Sequence, residues 1–197
     1  MPSFATPAAM YTAMLAATAC GRLARNFVGI ILDMSPSALE VPTPLFPSEA
    51  LKFYTRFNLD ELSPSNAEDE AAAARWLSAA RGGGQGDYRA GLRAKVDNVV
   101  EALRLFPRSK RAVLTVPSAV DAAHSDDAAA KCLRELHFYL EDGRLCCTGL
   151  MRAQAASIFP KNIHFIGSLM SRVAERLGVA VGSYAHVVTT LVDERNS

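Results

Sequence analysis

The chain has 197 residues, half of them apolar and 21% charged, with a formal net charge of +1. That composition supplies a core for one domain and argues against wholesale disorder, while the near-neutral balance provides no field for nucleic acid or an anionic membrane. Four cysteines with no CxxC spacing and no Cys/His cluster fit neither a disulfide framework nor a zinc site, so no metal is expected and the thiols read as reduced and cytoplasmic.

In chain order, "FATPAAMYTAMLAATAC" predicts a first helix that stops near Gly21; it lacks the basic start of a signal peptide and is too short to span a bilayer. "RNFVGIILDMS" predicts a strand. A proline-punctuated stretch then leads into a helix through Leu51, Phe53 and Tyr54, with Ser48 as its N-cap and Glu49 in its first turn. "SPSNAEDEAAAARWLSAARGGGQGD" reads as an acidic, alanine-rich helix followed by a mobile glycine loop. The spacing of Leu92, Val96, Val99, Val100, Leu103 and Phe106 predicts an amphipathic helix ending at Pro107. "RAVLTV" is a strand, "DAAHSDDAAA" an exposed loop, and "KCLRELHFYLEDGRLCCTGLMR" a hairpin about Asp142-Gly143. A second amphipathic helix turns Ile163, Ile166, Met170, Val173 and Leu177 inward and stops at Gly178, and "SYAHVVTTLV" is the last strand. The order predicts an α+β fold with a mostly antiparallel sheet covered by helices, in one domain spanning 1–197, with 66–90 as a flexible insertion.

Cys132 is the residue most suited to chemistry. It stands at a loop-to-strand junction beside Lys131 and two residues before Arg134, and positive charge favours a thiolate. The same position also suits a small buried hydrophobe. Cys146 and Cys147 read as strand packing. Arg152 closes the hairpin and Arg111 opens an earlier strand; such arginines grip phosphate or pair with carboxylates. "RGGGQGD" is not a phosphate loop, because no Lys-Ser/Thr follows it.

These pieces together resemble the thymidylate synthase family. "CLRELHFYLEDGRLCCTGLMR" and "FPKNIHFIGSLM" are similar, in order, to the family's Cys-His, its Phe-Tyr strand, its glycine turn, "LSCQLYQRS" and "PFNIASYALL". "SEALKFY" resembles "HELLWFL", "GDYRAGLR" resembles "GPVYGKQWR", "EALRLFPRSKRAVLTV" resembles "QLKNDPDSRRIIVSAW", and "LGVAVGSYAHVV" resembles "GLKPGDFIHTL". The similarity runs collinearly from about residue 45 to 190.

The resemblance implies a sheet-to-sheet homodimer acting on a pyrimidine nucleotide, with 5,10-methylenetetrahydrofolate as one-carbon donor. It implies that Cys132 adds to C6 of the base and that Glu49 manages protons through water. Arg152 would bind phosphate, Lys110 and Arg111 would reach across to the other subunit, and Asn162 would hydrogen-bond the base edge. Tyr88 and Trp76 would line the pocket, and Arg22 or Arg25 would stand in for the family's "RTGTG" loop. The departures are Leu133 after the thiol, Ala153 and Ala155 where the family has serine and aspartate, and no match to the family's "HxY" motif or C-terminal segment.

The resulting expectation is a pyrimidine nucleotide C5 methyl- or hydroxymethyltransferase of specialised nucleoside metabolism. Two alternatives stay open. One is a non-catalytic or repurposed dimer that binds a nucleotide or another small ligand; the other keeps the reactive thiol for a substrate that is not a nucleotide.

Overall fold

A computed structural model describes residues 1–62, 67–78, 81, 86–116 and 131–193. Among these, six strands form one sheet in the order β1-β2-β6-β5-β4-β3: β1 (Ser3–Phe4), β2 (Ala24–Ile31), β3 (Val113–Thr115), β4 (Leu133–Glu141), β5 (Arg144–Ala155) and β6 (Ala180–Val192). The helices are α1 (Pro7–Thr18), α2 (Pro36–Leu39), α3 (Ser48–Asn58), α4 (Ala67–Trp76), α5 (Leu92–Leu105) and α6 (Phe159–Leu177).

The class is α+β as expected, but the sheet is mixed. β2–β6, β4–β5 and β3–β4 are antiparallel, whereas β1–β2 and the central β5–β6 pair are parallel. The central pairing follows from α6. A helix inserted between two strands carries the chain back to the end where it started, so the second strand runs alongside the first in the same direction.

Local chemistry accounts for the element ends. Thr6 caps α1 by accepting from the Ala9 amide at 3.3 Å, with Pro7 in the first turn. Asp142 and Gly143 both take left-handed backbone, φ 48° and 72°, which is what a two-residue hairpin turn needs. Gly178 ends α6 at φ 71°, its amide donating to Ala174 and Glu175. Ser48 does not cap α3. It is the first helical residue, Pro47 holds the cap position, and the serine hydroxyl donates to Glu40 Oε2 at 3.3 Å.

Strand alternation sends the core to one side. Leu145, Cys147, Gly149 and Met151 of β5 and Tyr184, His186 and Val188 of β6 are buried, while Thr148, Leu150, Ala185 and Val187 between them are half-exposed. Ile163, Ile166, Met170 and Val173 of α6 fill the covered side, and Leu39 of α2 packs against Gly167 where any Cβ would overlap it. Within 66–90, α4 is a regular helix and Tyr88 is core. The expected glycine loop at 82–85 and the expected loop at 121–130 lie outside the described residues.

Candidate functional site

The adjoining ends of the interior strands β4 and β5 bring Cys132 and Arg152 together. Leu133 pairs with Met151, and the Arg152 amide donates to the Cys132 carbonyl at 2.8 Å, so thiol and guanidinium leave neighbouring backbones. Cys132 is half-buried against the core, and Arg152 is exposed.

Two buried phenols lie within electrostatic reach of Cys132. Tyr88 stacks on Phe165 with ring centroids 5.8 Å apart, and its backbone amide donates to Asn58 Oδ1 at 2.7 Å. Burial pushes the Tyr88 hydroxyl well above the usual phenol range, and the charge of an ionised Cys132 would push it further; contacts to the Leu133 backbone and Tyr54 oppose this. Tyr54 is raised for the same leading reason, with Tyr88, Asp87 and Cys132 adding to it. Both phenols therefore stay protonated and serve as hydrogen-bond donors. Tyr54 donates to Gly86 O at 2.8 Å and faces Asn162 Oδ1 at 3.5 Å. The Asn162 amide donates to Gln154 Oε1 at 3.1 Å, which fixes its orientation inside the core.

Lys161 adds a buried ammonium. It is 3% exposed in the first turn of α6, donates to the Arg81 carbonyl and lies 4.4 Å from the Tyr54 ring centroid. Trp76 packs on the separate cluster of Phe46, Ala50, Leu51 and Ile158, with the Arg81 guanidinium 5.1 Å from its ring.

The remaining predicted residues sit apart. Glu49 is exposed in α3, and neither a hydrogen bond nor an ion pair joins it to Cys132 among the described residues. Lys110 and Arg111 are exposed just before β3. The register places Arg111 opposite Tyr139, seven residues along β4 from Cys132, or roughly 20 Å. Arg22 is occupied at the end of α1, donating to Ala16 O at 2.9 Å and Ala19 O at 3.1 Å. Arg25 donates to Thr190, which pairs with Ala153, so Arg25 joins the Arg152 end of the sheet.

Tyr54, Gln154 and Lys161 carried no signal in the sequence, because helical spacing marks Tyr54 as core and only the tertiary fold brings α6 beside it. A fourth residue was legible only as a nearby charge. Arg134 has a buried Nη1 without a hydrogen-bond partner among the described residues, an omission that costs about 1–3 kcal/mol. Burial raises Cys147 far out of the thiolate range, so it packs rather than reacts.

Among the described residues no group of three or more His, Cys, Asp or Glu could hold a metal ion, and no helix is long and apolar enough to cross a membrane. No protein-family model and no curated protein matches the chain.

Proposed function

We propose that the chain is a thymidylate synthase-like transferase in which the Cys132 thiolate adds to C6 of a pyrimidine nucleotide. Addition breaks the C5–C6 double bond and places its electron pair on C5, conjugated with the C4 carbonyl. C5 then takes a one-carbon unit, loses its own proton, and expels the thiolate as the double bond returns. The observation that carries this reading is the strand register that sets Cys132 beside Arg152. Arg152 provides a phosphate grip, and Asn162 is the amide that the resemblance assigns to a base edge, here buried and bonded to Gln154.

Methylenetetrahydrofolate is the donor the resemblance names. The matching positions Ala153 and Ala155 offer methyl groups where a polar contact would be needed, so no step is derived through folate. The helix-free side of the sheet, with Val28, Ile30, Leu150 and Val187 half-exposed, supports a sheet-to-sheet homodimer. The roughly 20 Å between Arg111 and Cys132 in one protomer suits arginines that serve the other site. Sedimentation equilibrium that returns a monomer at micromolar concentration removes the dimer from the reading.

The test needs no folate. The wild type is expected to release tritium from C5 of a deoxyuridine or deoxycytidine monophosphate and, with added thiol to accept the bromine, to debrominate the 5-bromo analogue, and Cys132→Ala to do neither. Absence of both signals in the wild type ends the catalytic reading. The exposed Glu49 favours a second reading, a repurposed nucleotide-binding dimer, which predicts ligand-dependent thermal stabilisation without exchange.

A further inference from the structure

Arg134 lies two residues beyond Cys132, where the pairing of β4 with β5 slips. Leu133 faces Met151 but Glu135 faces Leu150, so Arg134 is the extra residue of a β-bulge. Bulges re-aim a side chain and recur beside active sites. The Arg134 carbonyl is engaged, accepting from the Val116 amide at 2.8 Å. Its guanidinium is not fully engaged: Nη1 is buried and has no acceptor among the described residues. The nearest carboxylate along the strand, Glu135, is held by His137 at 2.6 Å.

A guanidinium keeps its charge at every accessible pH and can only donate, so a buried N–H without an acceptor lacks an oxygen, preferably an anionic one. Two residues of strand span about 7 Å, and Cys132 is bonded to the backbone of Arg152 on the neighbouring strand. The backbones of two arginines therefore neighbour that of the thiol-bearing residue.

We propose that Arg134 and Arg152 form a two-guanidinium seat for an oxyanionic group, phosphate or carboxylate, on the molecule that Cys132 attacks, with Arg134 as the inner donor. This deepens the proposed function and rests on it for the identity of the attacked molecule. The seat itself stands on the bulge and the unfilled donor.

The test compares alkylation of Cys132 by iodoacetate, an anion, with alkylation by neutral iodoacetamide, read by peptide mass at Cys132. In both reactions the sulfur displaces iodide, so only the charge of the reagent differs. Arg134→Met is expected to lower the iodoacetate-to-iodoacetamide rate ratio tenfold or more and Arg134→Lys to lower it less, with the melting temperature of Arg134→Met unchanged or raised because a buried unfilled donor is gone. Millimolar inorganic phosphate is expected to slow the wild-type iodoacetate reaction. Acetate competing better than phosphate would assign the seat to carboxylates, and the reverse to phosphates.

An unchanged ratio in Arg134→Met overturns the seat, and so does a lowered ratio that comes with a lowered melting temperature, which would make Arg134 structural. If the ratio falls but no C5 tritium is released by the wild type, the seat stands and the pyrimidine reading fails. If tritium is released with the same KM in wild type and Arg134→Met, the seat alone fails.

Discussion

His186 makes folding stability depend steeply on pH. Its ring is 1% exposed, Nδ1 lies 2.9 Å from the Tyr184 hydroxyl, its edge meets Phe159 at 5.3 Å between centroids, and Nε2 has no partner. Burial lowers its pKa to about 3 from an ordinary 6.5. The folded value lies below the unfolded one, so between the two the unfolded chain binds the extra proton. The stabilisation is fully present above 6.5 and is lost as pH falls toward 3. The slope is about 1.4 kcal/mol per pH unit, and the whole window amounts to about 5 kcal/mol, which rivals the total stability of a small domain. Urea unfolding at a series of pH values, on wild type and His186→Gln, measures it. The glutamine keeps a polar group for Tyr184 and does not titrate, so the stability difference between the two proteins is expected to shift in favour of the variant by about 1.4 kcal/mol for each unit of acidification. His164, also lowered by burial, is present in both proteins and cancels. Parallel stability curves between about pH 6 and pH 4 would refute the reasoning.

Two further outcomes are expected. Gly149→Ala places a Cβ on the Tyr184 hydroxyl and should destabilise by about 1–3 kcal/mol; adding Tyr184→Phe should recover part of the loss, and strictly additive losses in the double-mutant cycle would show that the hydroxyl is not the obstacle. Arg22→Gln, which removes the guanidinium from the last carbonyls of α1, should cost about 0.5–1 kcal/mol in denaturant unfolding and leave phosphate affinity unchanged, whereas weaker phosphate binding with intact stability would return Arg22 to a ligand role.

Much of the element list was legible because apolar spacing reports which face is buried. The Leu92–Leu103 pattern is α5, the Ile163–Val173 pattern is α6, and Asp142-Gly143 is the hairpin turn. The two-residue strand β1 was not legible, since Ser3 and Phe4 become a strand only by pairing with Ile30 and Ile31. Ser48 was misread as a cap because the serine-to-acid pattern does not show that Pro47 supplies the extended backbone instead. The candidate site divides in the same way. Cys132 and Arg152 stand out by residue type and by their places at the two ends of a hairpin, whereas Tyr54 and Tyr88 come within electrostatic reach of the thiol from elements far away in sequence.

By itself, the order of side chains determined the α+β class, the hairpin that brings Cys132 next to Arg152, and the stops at Gly21 and Gly178, because each depends on neighbours within a few residues. Only the tertiary structure decided that β5 and β6 run parallel, that Arg22 closes a helix, that Glu49 faces solvent, and that Arg134 sits on a bulge with a buried donor left unfilled. Those outcomes depend on which distant backbone supplies the hydrogen bonds and which surface excludes water, and local spacing carries no record of either.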